Sequence, residues 1–429
     1  MHKIEKLLQT LAPKGVEFRK LGDIGEFYGG LVGKSKKSFS QGNKLYVPYI
    51  NVFNNPQLDL NALESVQIED KEKQNTIQLG DVLFTGSSEN LEDCAMSCVV
   101  TQKIEKDIYL NSFCFGFRFF DENLFNPSFL KHFLRDYNFR KNISKVANGV
   151  TRFNVSKKLL SKITIPIPPL EIQQEIVKIL DAFTELNTEL NTELKARKKQ
   201  YQYYQNMLLD FNSINQNHKD AKEKLTQKPY PKRLKTLLQT LAPKGVEFRK
   251  LGEVCDFQKG KSITKKAVTF GKVPVISGGR QPAYYHNEAN RSGETIAISS
   301  SGVYAGYVSY WDIPVFLADS FSVSPKQKTL MPKYLFHYLT TQQDAIHATK
   351  STGGIPHVYS KDLQNFLIPI PPLEIQQEIV KILDQFSLLT TDLLAGIPAE
   401  IEARKKQYEY YREKLLTFKP LTPHKEVKK

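Results

Sequence analysis

Four short polar stretches hold the residues best able to do chemistry: Thr85-Gly-Ser-Ser-Glu-Asn90, Asn148-Gly-Val-Thr-Arg-Phe-Asn154, Ser299-Ser-Ser-Gly-Val-Tyr304 and Ser351-Thr-Gly-Gly-Ile-Pro-His357. Glycine lets a backbone come close to a partner, while Ser, Asn, Arg and His supply donors and acceptors for phosphates or base edges. The candidate contacts are therefore Ser87, Ser88, Asn90, Asn148, Thr151, Arg152 and Asn154 in the first half of the chain. In the second half they are Arg280, Gln281, Ser300, Ser301, Tyr304, Thr352 and His357. Arg152 and Arg280 suit guanine or phosphate. Two groups of lysines, Lys34, Lys36 and Lys37 in one half and Lys259, Lys261, Lys265 and Lys266 in the other, suit phosphates.

Catalytic constellations do not accompany them. The Pro-Pro pairs, Pro168-Pro169 and Pro371-Pro372, sit between Ile and Leu, unlike the Asn/Asp-Pro-Pro-aromatic loop that grips a flipped base. Gly29-Gly-Leu-Val-Gly-Lys-Ser35 resembles a phosphate loop but lacks one residue between its outer glycines. The eight histidines form no pair at i, i+4, and Cys94, Cys98, Cys114 and Cys255 have no metal-ligand spacing, so no metal is expected and buried free thiols are. The sequence gives no sign that the chain binds a cofactor of its own.

The 429 residues carry a net charge of +15, which points toward nucleic acid. The charge is uneven: +2 over residues 23–162, +4 over 253–365 and +5 over the short stretch 212–235. Phosphate contacts must then come from local clusters rather than from a uniformly basic domain. Apolar runs fall far short of a membrane span and the opening MHKIEKLLQT has no apolar signal core, so a cytoplasmic protein with no membrane partner is expected.

The elements that must position these stretches are written twice. Leu7 to Gly22 recurs unchanged as Leu237 to Gly252, and Ile165 to Asp181 recurs as Ile368 to Asp384. Between the copied ends, residues 26–162 and 256–365 differ in length and in nearly every residue. A repeated frame around two unlike inserts suits the display of two different recognition surfaces. Each copy opens with a short helix, a turn at Ala-Pro-Lys-Gly and an alternating strand, Val-Glu-Phe-Arg-Lys-Leu. Strands are expected at 46–50, 81–84 and 114–120 in one insert and at 273–276, 295–298 and 307–310 in the other. Helical patches follow near 127–140 and 332–345. Strands first and helix later favours an α+β insert.

Each copy closes with Pro-Ile-Pro-Pro-Leu-Glu, read as an extended linker before a helix start. Ile172, Ile176, Ile179, Phe183, Leu186 and Leu190 then step along one helical face, as do Ile375, Ile379, Ile382, Phe386, Leu389 and Leu393. The first helix should run about 60 Å, while Gly396 and Pro398 should kink or break the second. Such a stripe on one helix would lie on its own domain. Two matched stripes in a duplicated chain favour helices packed on each other, antiparallel. The expected domains are 1–168 and 236–371 for recognition, 169–211 and 372–418 for the helices, 212–235 for a basic flexible linker and 419–429 for a tail. Within the first helix Thr184 to Leu194 reads TELNTELNTEL, a tetrad repeated almost three times. Asp181 to Ala196 spans 15 positions against 19 from Asp384 to Ala403.

The duplicated KGVEFRKLG opening, the IPIPPLEIQQEIVKILD helix start, the ARKKQYxYY ending (Ala196 to Tyr204, Ala403 to Tyr411) and the GDVLF and NGVTRFNVS elements together resemble the specificity subunit of type I restriction-modification systems. The resemblance covers nearly the whole chain. It implies two mixed α/β target-recognition domains separated by a pair of long antiparallel conserved helices, coiled-coil-like, with internal duplication and approximate two-fold symmetry. It further implies that each domain reads half of a bipartite double-stranded DNA site and that the helices set the spacer. Two methyltransferase subunits would dock on the helices, with restriction/translocase subunits joining in the full complex. S-adenosylmethionine would be held by the methyltransferase subunits and not by this non-catalytic chain. Two other readings stand beside it, a self-contained DNA methyltransferase or nuclease and a coiled-coil scaffold that binds protein.

Overall fold

The computed structural model describes residues 2–421 except 40, 218–219, 327, 352–353 and 392–395. The chain forms two compact units, residues 1–190 with 401–429, and residues 191–400. Each unit thus combines one insert with helical segments from both copies of the frame.

In unit 1 the opening strand, Glu17–Lys20, pairs antiparallel with Thr164–Ile167, with Glu17 opposite Ile167 and Lys20 opposite Thr164. Unit 2 repeats the pairing between Glu247–Lys250 and Leu367–Ile370. The proline-rich stretch expected to be a linker is therefore a strand. A two-stranded ribbon tolerates proline because each strand keeps one edge that needs no N–H. The copied ends of each repeat clasp one another, and the insert is the loop between them.

The inserts themselves share a topology that their sequences hide. Unit 1 holds a four-stranded antiparallel sheet in the order Gly25–Gly29, Cys114–Phe119, Val82–Thr85, Ser97–Val99. Unit 2 has the same order in Cys255–Lys259, Ser320–Pro325, Thr295–Ser299, Val308–Trp311. A second sheet also matches: Glu64–Val66, Lys44–Val47, Ile108–Leu110 against Tyr284–His286, Val273–Ile276, Phe316–Leu317, the last pair of strands parallel in both. The central strands are buried along their whole length, Val-Leu-Phe-Thr in one and Thr-Ile-Ala-Ile-Ser in the other. Interior strands need only apolar or small residues at such positions, so unlike sequences reach one fold. The expected strand at 46–50 ends at Val47, and Tyr49–Asn54 is a short helix after Pro48.

The first arm is a single helix, Leu170–Leu209, of 40 residues. The second is two helices, Leu373–Thr391 and Ile397–Leu416, interrupted where Gly396 and Pro398 predicted a break. The opening turns of both arms pack on their own inserts: Ile172, Ile176 and Leu180 join the core of unit 1, and Ile375, Ile379 and Leu383 that of unit 2. Leu180 and Leu383 take the buried places expected for Ile179 and Ile382, which are half-buried. Further along, Phe183 stacks on Tyr411 with ring centroids 5.5 Å apart in unit 1, and Phe386 on Tyr204 at 5.0 Å in unit 2. There one arm does meet the other. Leu190 is buried and Leu186 half-buried, but Leu389 is 38% exposed and does not belong to a seam. Leu393 lies outside the described residues.

The stretch 212–235, expected to be a flexible linker, is folded in its described residues. Ala221–Gln227 and the start of Lys232–Leu241 are helical, and Phe211, Ile214, Leu225, Tyr230 and Leu234 enter the core of unit 2. Polar composition concealed these widely spaced anchors. After each arm the chain bonds to an opening turn: Val246 N–H donates to Ile214 O at 2.8 Å, and Val16 N–H to Lys419 O at 2.8 Å. Gly245 (φ +99°) and Gly15 (φ +109°) occupy these turns. A Cβ there would lie 2.4 Å from Ile214 O and 2.6 Å from Pro420 O, so no larger residue fits. The described part of the expected tail, through Leu421, is thereby fixed on unit 1.

Candidate nucleic-acid interface

The two polar stretches of each insert come together. In unit 1, Ser87–Ser88 forms a strand beside Phe153–Val155, which pairs in turn with Ala147–Asn148, so segments read as separate loops make one small sheet. Ser88 faces Phe153 and Asn154 lies between Ser87 and Asn148. Gly149, at φ +136°, makes the hairpin possible: a Cβ would lie 2.0 Å from Arg152 O. Asn90, Asn148, Thr151, Arg152 and Asn154 are exposed and Ser87 is half-buried, while Ser88 is mostly buried yet still lines the cleft beside this sheet.

Beside this sheet opens a cleft of about 390 Å³, lined by Tyr49, Ile50, Phe53, Phe113 and Arg152 together with Ser87, Glu89, Asn90 and Asp93. Tyr49 anchors its wall by donating to Ser87 O at 2.8 Å. Burial raises the Tyr49 hydroxyl above its usual value, and the nearby Arg152 charge acts in the opposite direction. Sequence reasoning missed these apolar walls because it counted Tyr49 and Ile50 as strand and gave Phe113, just before the strand expected at 114–120, no role. The available signal was the break that Pro48 imposes before Tyr49.

Unit 2 joins its two stretches at the corresponding place, where Ser301 bridges His357. Gly302 N–H donates to Pro356 O at 3.0 Å and Val358 N–H to Ser300 O at 2.9 Å. Arg280 lies over the rings of Tyr304 and Tyr307, 4.9 Å and 5.7 Å from their centroids, which holds an exposed guanidinium in place. Gln281 is exposed beside it, Ser300 and Ser301 are half-buried, and His357 stacks on Tyr359. Ser301 donates to Asp319. Thr352 lies outside the described residues.

The lysine clusters lie on other segments of the inserts. Lys34 is a correction: its side chain is only 8% exposed, bonded to Glu72 and to Gln67 O, and thus serves the fold. Lys36 and Lys37 are exposed on the turn Lys36–Phe39, which Gln67 N–H ties to the smaller sheet through Ser38 O. Lys259 ends a strand of the larger sheet of unit 2 and Lys261 follows it, both exposed.

What orients each insert is a cluster that occurs twice. In unit 1, His132 Nε2 lies 2.7 Å from Asp181 Oδ1, Lys131 Nζ 2.8 Å from the same oxygen, and His132 Nδ1 3.1 Å from the Tyr408 hydroxyl. In unit 2, His337 Nε2 lies 3.1 Å from Asp384, Lys333 Nζ 2.7 Å from it, and the Tyr201 hydroxyl 3.4 Å from His337 Nδ1. Both aspartates end the copied helix start, whereas each tyrosine comes from the arm of the other repeat. Burial holds His132 below its usual pKa. Burial alone would raise Asp181, but the bonds from His132 and Lys131 outweigh it and keep the carboxyl low. A neutral His132 therefore donates from Nε2 to a charged Asp181 and accepts from Tyr408 at Nδ1. The cation reaches its aspartate from nonequivalent positions of the two insert helices, one residue before the histidine in unit 1 and four before it in unit 2. Buried Gln173 and Gln376 complete the junction. Each donates to the carbonyl of the first proline of the Pro-Pro pair at 2.7 Å and accepts from the N–H of Asn126 or Met331 at 2.8 Å.

A duplicated frame, two inserts of one topology and a donor-rich surface on each define a two-headed recognition protein. Residues 13–200 and 243–403 match the model of the type I restriction modification DNA specificity domain. The specificity subunit of the Escherichia coli type I restriction enzyme EcoR124I/EcoR124II is 34% identical over 298 residues, 63% of this chain and 66% of that one. In fold, the type I restriction-modification S subunit from M. genitalium matches with TM-score 0.55 at 18% identity, covering 94% of this chain and 96% of that one. A chain from a structure of complex assembly and conformational transition of the type I R-M system matches with TM-score 0.56 at 19% identity, covering 94% and 97%. The chain belongs to the type I restriction-modification specificity family, and its work is recognition of DNA sequence within such a complex, not catalysis. Among the described residues no helix is long and apolar enough to cross a membrane.

Proposed function

We propose that each unit applies its insert surface to one half of a split site in double-stranded DNA. The supporting observation is that two inserts with unlike sequences assemble the same pair of polar segments at the same place in the same fold. Shared topology gives equivalent presentation; unlike side chains give different sequences read. Arg152 and Arg280 make guanine or phosphate contacts, with the exposed Asn and Ser residues around them completing base-edge readout.

The arms set the unspecified gap between the half-sites and carry the partner subunits. Because the frame offers its helical surface twice, it docks two methyltransferase subunits, through which restriction/translocase subunits join. S-adenosylmethionine belongs to the methyltransferase subunits, where the target adenine is modified, and the assembly works on cytoplasmic DNA. Mass measurement of the complex reconstituted with excess methyltransferase should give two copies per chain. Saturation at a stable one-to-one assembly would refute the argument from duplication.

A further inference from the structure

The cleft of unit 1 has a character that phosphate recognition does not explain. Phe113 is 66% exposed and Ile50 56%, and both line the cleft beside Tyr49. Isolated exposed apolar residues are ordinary, but here they share one concavity with the candidate reading residues. Two carboxylates also line it, an exposed Glu89 and a half-buried Asp93 that accepts a bond from Asn90 at 3.1 Å. Carboxylates repel a phosphate, and apolar walls give it no donor. Guanine presents only acceptors, N7 and O6, in the major groove; Arg152 at the cleft suits it, but Glu89 and Asp93 repel it and the apolar walls give it nothing.

An A·T pair fits both features. Its major-groove edge carries the thymine C5 methyl, which seeks an apolar wall, and the adenine N6 amino group, which seeks an acceptor. A C·G pair offers an amino group without the methyl. We propose that this cleft reads an A·T pair through its major-groove edge, the thymine methyl lying against Phe113 and Ile50 and the adenine amino group turned toward Glu89 and Asp93. The assignment rests on the DNA-reading role proposed above.

The fold holds the apolar wall in place. Gly86 N–H donates to Phe113 O at 2.7 Å, and Phe113 N–H donates to Asn111 Oδ1 at 2.9 Å. A Cβ at Gly86 would stand 2.7 Å from Phe113 O, so glycine there lets the turn close. Unit 2 sets Arg280 over Tyr304 and Tyr307, whereas the cleft of unit 1 combines Arg152 with two carboxylates and apolar walls. The two heads therefore differ in the base pair each prefers.

The test uses the full chain assembled with its methyltransferase and a duplex bearing its mapped site. Deoxyuridine replaces thymidine one position at a time in the half-site that insert exchange assigns to unit 1, removing one methyl and no hydrogen bond. One position is expected to lose about fourfold in affinity, the effect of burying a single methyl group. Phe113→Ala should bind more weakly and become indifferent to that change, with Ile50→Ala as an independent second variant. Tolerance of uracil at every position, a half-site with no A·T pair besides that of the methylated adenine, or undiminished uracil sensitivity in both variants would overturn the proposal. Selective binding that persists with uracil throughout defeats this assignment alone. Failure of the insert to govern any half-site defeats the reading role and this proposal with it.

Discussion

Replacing Asp81 by Ala should destabilise unit 1 by about 3 kcal/mol, the scale for removing one partner of a buried ion pair. Asp81 is 1% exposed and accepts from Arg118 Nε at 2.8 Å and Nη2 at 2.6 Å, from the Tyr28 hydroxyl at 2.7 Å and from Gln78 N–H at 2.8 Å. Its loss leaves a guanidinium and a hydroxyl without their acceptor at the end of the central strand Val82–Thr85. Arg118 is about a third exposed, and water takes up part of the cost. For a unit of this size the loss corresponds to a fall of about 6–12 °C in Tm. Circular dichroism follows both units, whereas the lone tryptophan, Trp311, reports unit 2. The dichroism transition should move down ahead of the fluorescence transition. Asp81→Ala combined with Arg118→Met should recover part of the loss, since no unpaired charge remains. A Tm within about 2 °C of the parent would show that this junction does not hold the insert together.

Removing the tetrad Asn187 to Leu190 should change which sites are modified without changing what either half reads. The deletion leaves Leu186 and Leu194 four positions apart, so the leucine spacing survives. The helix shortens by about 6 Å and turns by about 40°. The cut falls where the helix passes from unit 1 into unit 2, beyond the contact of Phe183 with Tyr411 and before that of Tyr204 with Phe386. Both junction clusters are therefore untouched. Duplex DNA advances about 3.4 Å per base pair. The gap between half-sites should shrink by about one pair, with flexible DNA absorbing the remainder. Activity on parental sites should be lost while sites with the shorter gap gain it. Sequencing methylated sites of the deletion variant checks this. An unchanged gap with activity intact would remove the helix as a ruler.

The frame was legible because its evidence is repetition, which needs no tertiary knowledge. The clasp of Glu17–Lys20 with Thr164–Ile167 was not, because proline argues locally against strand and only the partner across the ribbon makes it one. The arms were half legible. Apolar spacing marked a buried stripe, but a strict step of four and three selected Ile179 and Ile382 where the insert helices instead bury Leu180 and Leu383. The clusters around Asp181 and Asp384 depend on tyrosines more than 180 positions away and leave no local signal. The polar stretches were recognisable by composition, yet their union into one surface, and the walls supplied by Tyr49, Ile50 and Phe113, depend on pairing between distant strands. Lys34 shows the converse, a basic residue in an inviting cluster that the fold uses to bind Glu72.

The central claim is that one frame carries two independent readers. The direct measurement exchanges residues 22–162 for the corresponding insert of a related chain, leaving both clasp strands in place, and maps methylated adenines before and after. The account predicts that one half of the site changes completely while the other half and the gap between them stay as they were. A change in both halves, or a site that does not change at all, would contradict it.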